Sequence, residues 1–395
     1  VNLPVPLQNP QEWLLPDYGR YGLAQIPATI RALFGSGPAT ELRKLCPPET
    51  PRVVVLLLID GLGYDQWQEF STRFEFFKTV QQSGRVIPIT SVFPSSTAPN
   101  LTTLHTGKTP AEHGLVEWWV YFEEIDRILT TLPFAPMHGT TEELAGIDPS
   151  ILYSGPTFYE SLGVDSTILI HRPLVRTPYS GVAHRGANSA GFDDLEDLSK
   201  RLPRLVRETA SPRFIHVYWD ALDSAAHRYG PFSPEHFEEA KRLSDAMMSG
   251  LPRGALLLVT ADHGQIRIDP SKIVYLNQWP EVAEEFAVSR NGRPILPWGT
   301  PRDVFLRVRE PDRARALLQD RLQDKAVVLR SEELYPLFGE GRVAHPSRFG
   351  NLILLCRENH AVWFEHKPGK RFGLTGVHCG LTPTEMRIPF AACAL

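Results

Sequence analysis

Four short apolar stretches constrain this chain more than any other feature: Val53–Ile59 (VVVLLLI) and the runs 166–171, 214–219 and 255–260. None alternates apolar with polar positions, as a strand with one wet face does, so each reads as a strand buried on both faces of a parallel sheet. Helix-compatible segments lie between and after them, at 98–106, 195–208 and 234–248. Strands alternating with helices predict an α/β fold, a mostly parallel central sheet with helices on both faces. Ligands of such sheets bind outside the carboxyl ends of the strands, so the residues that follow each run carry most of the functional information.

Those residues form a pattern. The first run delivers Asp60-Gly61, the third leads into Asp223 and His227, and the fourth ends in Asp262-His263-Gly264. Asp and His suit zinc, manganese or a related divalent ion. Asp223 and His227 are four apart, which on a helix puts both on one face, one turn apart. Taken singly, an Asp after a strand is more often a helix cap or turn former. Three such groups at one sheet edge point instead to a shared metal site.

A fourth segment, residues 90–115 (TSVFPSSTAPNLTTLHTGKTPAEHGL), passes from loop into helix at Thr97-Ala98-Pro99. Proline is tolerated in a first helical turn, where its missing N–H leaves no bond unmade. Thr97 then stands at a helix N-terminus, where backbone N–H groups and the dipole favour an anion, and its hydroxyl is placed to act on phosphate. The alternative is that Ser95, Ser96 and Thr97 only cap the helix.

Composition narrows the field. Lys and Arg number 41 against 45 Asp and Glu, a net charge of −4, which gives no electrostatic footprint for nucleic acid or an anionic membrane. A stable nucleic-acid partner is not expected, and any anion must be held locally. The four cysteines show no metal-finger or disulfide spacing. No apolar run approaches the roughly 20 residues that span a bilayer, so no transmembrane segment is expected. Residues 1–20 lack the basic-then-apolar order of a signal peptide. Sparse cysteine and no visible leader point toward the cytoplasm, and a first residue of Val rather than Met leaves export open. Proline, 35 of 395 residues and spread throughout, predicts many rigid loops.

In their order, these motifs resemble the alkaline phosphatase superfamily, and most closely its nucleotide pyrophosphatase/phosphodiesterase branch. Thr97-Ala98-Pro99-Asn100 through Thr106-Gly107, Pro110 and His113-Gly114-Leu115 are similar to that branch's nucleophile segment. Asp60-Gly61 resembles the first metal aspartate, Asp223-Ser-Ala-Ala-His227-Arg-Tyr-Gly-Pro231 the Asp-x-x-x-His-x-Tyr-Gly-Pro motif, and Asp262-His263-Gly264 the Asp-His-Gly motif. Gly376-Val-His378 resembles a late Gly-x-His-Gly motif, with Cys379 intervening before Gly380. The match spans residues 53–390 and rests on about five motifs.

The resemblance implies two divalent ions, usually zinc, one held by Asp60, Thr97, Asp262 and His263, the other by Asp223, His227 and His378. It implies Thr97 as nucleophile, a phosphothreonine intermediate, and hydrolysis of a phosphodiester or pyrophosphate bond in a small phosphate ester or nucleotide. Two cations roughly 4 Å apart clamp a phosphoryl group and stabilise entering and leaving oxygens. A phosphomonoesterase or phosphonate hydrolase would use the same machinery, and a binding protein on a decayed scaffold is the non-enzyme alternative. Sulfatase chemistry is disfavoured, because Thr97 cannot become formylglycine and Leu101 stands where the sulfatase pattern has Arg. The branch's phosphoryl-holding Asn also has no match. Glu117-Trp118-Trp119 stands there, making Glu117 and Trp118, with Lys108, the candidate substrate contacts, and Trp118, Trp119, Tyr121 and Phe122 either a pocket wall or core. His105, His113 and His216 read as structural.

His378 lies 115 residues beyond His263, so a shared site requires the chain to leave its core and return. The expected organisation is an N-terminal extension packing on the core (1–50), a core built from 51–265 plus 371–395, and an inserted α+β cap or side region (266–370). Within the insertion, 303–308 reads as a strand, 311–323 as a helix, and 352–356 with 361–364 as a strand pair.

Overall fold

The computed structural model describes residues 4–208 and 211–394. Its centre is a seven-stranded sheet of β1 (Val53–Ile59), β2 (Arg85–Thr90), β3 (Asp165–His171), β4 (Asn188–Phe192), β5 (Arg213–Trp219), β6 (Leu256–Thr260) and β7 (Arg387–Ala394). The strand order is β2-β7-β6-β1-β5-β3-β4. β1 pairs in parallel with β5 and β6, β3 with β4 and β5, while β7 runs antiparallel to both β2 and β6. Every residue of β1 and β6 is buried, which is why these strands could dispense with alternation. Burying one such Val, Leu or Ile contributes about 1.5–3 kcal/mol, so the central ladder is the main apolar anchor of the fold.

Helices α1 (Tyr64–Arg73), α2 (Glu75–Ser83), α3 (Thr97–Thr106), α4 (Leu195–Arg207), α5 (Ala221–Tyr229) and α6 (Pro234–Ser249) pack around the sheet. α4 shows how sequence writes such a helix. Asp194 caps it by accepting from the Asp197 N–H, Leu195, Leu198, Leu202 and Val206 form its buried stripe, and Arg204 and Arg207 lie in its last turn. Pro203 sits inside it without ending it.

Residues 266–370 hold a second, four-stranded antiparallel sheet, in the order Trp298–Gly299, Asp303–Leu306, Leu352–Cys356, Ala326–Arg330. The helix Pro311–Leu322 covers it through Ala314, Leu318 and Leu322, closing a separate apolar cluster. The anticipated pairing of 352–356 with 361–364 does not form. Leu352–Cys356 is an interior strand of that sheet, and Ala361–Trp363 instead pairs in parallel with Ile273–Tyr275. Both edges of Leu352–Cys356 are already taken, one by Asp303–Leu306 and the other by the unforeseen strand Ala326–Arg330.

Two buried arginines join this region to the rest. Arg302 forms a two-pronged ion pair with Glu385 at 2.9 and 3.0 Å, and Arg348 donates to the carbonyls of Gly114, Leu152 and Ile151 at 3.0, 2.7 and 2.6 Å. Before β1, Leu14 N–H bonds the Leu381 carbonyl at 2.7 Å and the Tyr18 hydroxyl that of Leu337 at 2.8 Å. No helix among the described residues is long and apolar enough to cross a membrane.

Candidate active site

Four chain segments meet at the carboxyl end of the central strands. Asp60 follows β1, and its N–H continues the ladder by donating to the Trp219 carbonyl at the end of β5 (2.9 Å). Asp262 and His263 follow β6. Asp223 and His227 lie one turn apart on α5, and His378 arrives just after the two-residue strand Gly376–Val377. Thr97 is the first residue of α3, 7 % exposed, and Ser96 caps that helix in extended conformation. Because Pro99 has no N–H, the free donors of the first turn are those of Thr97 and Ala98.

Thr97, Asp60, Asp262 and His263 form one group. Thr97 Oγ1 is 3.1 Å from His263 Nε2, which is 3.3 Å from Asp60 Oδ1 and 3.4 Å from Asp262 Oδ2. Those two carboxylate oxygens are buried and have no hydrogen-bond partner. Their sister oxygens are held: Tyr218 donates to Asp60 Oδ2, and the Gly61 and His263 N–H groups donate to Asp262 Oδ1 at 3.1 and 3.0 Å.

Asp223, His227 and His378 form the other. His227 Nε2 is 3.3 Å from Asp223 Oδ2 and 3.2 Å from His378 Nε2, which lies 4.0 Å from Asp223 Oδ1. The His263 and His378 rings stack between the groups at 3.5 Å.

All three imidazoles point Nδ1 at a backbone carbonyl: His227 at Gly376 (2.7 Å), His263 at Gly264 (3.1 Å) and His378 at Ser95 (2.9 Å). A neutral imidazole donating from Nδ1 offers only a lone pair at Nε2, the arrangement of metal-binding histidines. Lone pairs of Nε2 and of unpartnered carboxylate oxygens therefore face one another at little over 3 Å. They repel unless a cation lies among them, so the residues fit divalent ions.

The electrostatics agree. Burial, then Asp223, drives the Asp60 carboxyl well above its ordinary range, and burial, then Asp60, pushes Asp262 up to about 8. Burial pushes Asp223 up to about 7, and burial with neighbouring His263 and His227 holds His378 well below the usual imidazole value. Three carboxylates so placed need positive charge to stay ionised.

The site opens into a chamber of about 500 Å³, lined by Trp118, Trp119, Leu101, Ile168, Ile170 and Leu174. Neither Lys nor Arg is among its lining residues, as far as the described residues extend. Of the three candidate substrate contacts only Trp118 lines it. Lys108 turns its ammonium toward the Ser154 carbonyl at 3.4 Å, and Glu117 is buried behind Ser96, whose hydroxyl donates to it at 3.2 Å. Tyr121 and Phe122 are core, Tyr121 against the Trp298 ring and Phe122 under the Arg348 guanidinium. His113 braces α3 through Thr103 at 3.2 Å, whereas His105 and His216 line the deep chamber, bridged by the Tyr159 hydroxyl at 2.8 and 3.1 Å.

Sequence reading missed Tyr218 and Gln265. Both support carboxylates, Tyr218 donating to Asp60 and Gln265 to Asp223. Position carried the available signal: Tyr218 is the next-to-last residue of β5, level with Leu58 on β1, and Gln265 follows Asp-His-Gly directly.

The model of the type I phosphodiesterase / nucleotide pyrophosphatase family matches residues 54–378, well over half of the chain. The chain belongs to this family. Among its curated relatives are ectonucleotide pyrophosphatase/phosphodiesterase family member 3 of Rattus norvegicus, 23 % identical over 64 % of this chain and 29 % of its own length, and family member 5 of Homo sapiens, 24 % identical over 57 % and 47 %. Venom phosphodiesterase 2 of Crotalus adamanteus is 23 % identical over 64 % of this chain and 32 % of its own. The chain thus spans less than half the length of these relatives. Of solved structures, murine ectonucleotide pyrophosphatase/phosphodiesterase 5, an inactive threonine-to-alanine variant in complex with AMP, superposes with a TM-score of 0.64 at 17 % identity, covering 86 % of this chain and 87 % of that one. Phosphonoacetate hydrolase from Sinorhizobium meliloti 1021, in complex with phosphonoformate, gives 0.61 at 18 % identity, covering 87 % and 90 %. The chain shares with both structures an alkaline-phosphatase-like fold.

Proposed function

We propose that this family member is a metal-dependent hydrolase of phosphodiester or pyrophosphate bonds with Thr97 as nucleophile. The observation that carries the reading is the placement of Thr97 Oγ1: at the start of α3, 3.1 Å from His263 Nε2, facing the unpartnered oxygens of Asp60 and Asp262. Asp60, Thr97, Asp262 and His263 would hold one divalent ion and Asp223, His227 and His378 the other, with zinc favoured by the mixed N and O donors. Such ions, when bound, neutralise phosphoryl oxygens and favour the alkoxide of a nearby hydroxyl.

The protein's own groups do the rest. Thr97 Oγ1 attacks phosphorus in line with the leaving oxygen, giving a phosphothreonine, while the Thr97 and Ala98 N–H groups and the helix dipole face developing negative charge. The leaving group departs toward the chamber. Water then attacks the phosphothreonine from the vacated side, and two inversions leave the configuration at phosphorus retained. Carbonyl bonds at all three Nδ1 atoms keep the imidazoles oriented through both steps.

The chamber bears on substrate. Its apolar wall suits an uncharged organic group, and among the described residues no Lys or Arg lines it to pair with the carboxylate of a small phosphonate. That favours a diester over a phosphonoacetate-like substrate. A panel of p-nitrophenyl phosphate, its bis-ester and the thymidine 5′ ester tests this: faster diester cleavage is expected, and a preference for the monoester would overturn the reading.

A further inference from the structure

A second cluster of buried ligand atoms lies beside this centre and outside its chemistry. Glu117, Asp303 and Cys379 are 0 %, 0 % and 1 % exposed, and a ligand atom from each lies within 4.8 Å of the others. They come from distant parts of the chain: the loop beyond α3, the first residue of the strand Asp303–Leu306, and the position after His378.

Each carboxylate has one oxygen held and one left over. Asp303 Oδ1 accepts from the Thr300 hydroxyl at 2.6 Å and from its N–H at 3.3 Å, and Glu117 Oε2 accepts from the Ser96 hydroxyl at 3.2 Å and from the Trp118 N–H. Asp303 Oδ2 and Glu117 Oε1 are buried without a hydrogen-bond partner. The adjacent guanidinium of Arg302 is committed, both prongs to Glu385 and a further N–H to the His360 carbonyl. Two buried carboxylates with spare oxygens, joined by a thiol, are costly while both are ionised, and either a shared proton or a cation in the gap relieves that cost; a cation is the partner that also engages the sulfur.

Cys379 carries a further clue. Its φ of 96° lies in the left-handed region that favours glycine. A side chain there costs on the order of 1–3 kcal/mol and persists where the surroundings require it.

We propose that Glu117, Asp303 and Cys379 form a third divalent-cation site, structural and of zinc class, immediately behind the active centre. Thiolate and carboxylate together suit zinc and its relatives cobalt and cadmium. Cys379 and Thr300 both line the chamber, which leaves a fourth position accessible to water. Binding releases the thiol proton to solvent. Bound there, the ion ties Asp303 of the insertion to the segment carrying His378, whose Nδ1 is 3.1 Å from Cys379 Sγ, and so positions that imidazole.

The active centre has no sulfur ligand, and of the four free cysteines only Cys379 belongs to this cluster, so a thiolate-to-metal absorption band that depends on Cys379 reports on this site. The full chain is stripped with chelator and titrated with Cd²⁺ or Co²⁺, recording charge-transfer absorption and metal equivalents per chain. The expected result is a thiolate band and three equivalents. Cys379→Gly, which suits the backbone and should fold, loses the band and one equivalent. Asp303→Asn keeps the thiol but lowers affinity more than about 100-fold, beyond the 10–100-fold cost of losing an outer partner. A folded protein without the band, or a band that survives Cys379→Gly, overturns the proposal. The outcomes also separate it from the active-site reading on which its positioning role rests: a band with one equivalent refutes the two-ion centre alone, and two equivalents without a band refute the third site alone.

Discussion

A hydroxyl serves as a nucleophile only where its deprotonated form is tolerated, and Thr97 has the helix N-terminus on one side and a convergence of metal-seeking lone pairs on the other. Thr97→Ala should reduce steady-state turnover by on the order of 10⁴ or more, while metal analysis still finds the active-centre ions. Retained turnover in that variant removes Thr97 from the mechanism. Arg302 and Glu385 pose a separate test, because both are fully buried and Glu385 also accepts from Gly380 N–H and the Thr382 hydroxyl. Arg302→Met leaves that carboxylate uncompensated and should cost about 3–5 kcal/mol in urea unfolding, with the double change to Met at both positions recovering a large part. At this scale the sequence was informative where chemistry and motif coincided, as at Asp60 and Asp262-His263. It marked Glu117 only as a substrate contact and Cys379 only as an interruption of a motif, and gave no sign that Asp303 joins them, because the three share no common spacing and become neighbours only when the insertion folds back.

The turn after β1 shows how an element sets ligand geometry. Gly61 has φ +72°, and a Cβ there would lie 3.0 Å from Cβ and Oδ1 of Asp223. Gly61→Ala should displace that carboxylate and weaken metal binding by about 10–100-fold, the range for lost support around a ligand, with little change in the far-ultraviolet circular dichroism. Unchanged affinity would mean that α5 yields freely. Apolar runs such as Val53–Ile59 were readable because burial on both faces leaves one solution for them. β2 was not, since only Ile89 of its six residues is buried, and neither was the partner of Ala361–Trp363, which long-range pairing decides.

For the molecule as a whole, three raised carboxylates at one point make the apo form electrostatically strained. Chelation should abolish activity and lower Tm. Each occupied site adds about 2.7 kcal/mol when free metal is 100 times Kd, so Tm should rise with added Zn²⁺ in calorimetry, and a Tm indifferent to metal would contradict the fit argued for these ligands. The sheet order has another consequence. β7, built from residues 387–394, occupies an interior position between β2 and β6. As the chain leaves the ribosome, β2 and β6 both emerge ahead of β7 and keep unpaired edges until it follows, and His378 appears only shortly before the gap is filled. The nascent protein thus acquires its seventh strand and its last metal ligand almost together. Premature termination before residue 387 should yield insoluble chains captured by chaperones, and not a folded enzyme of reduced activity.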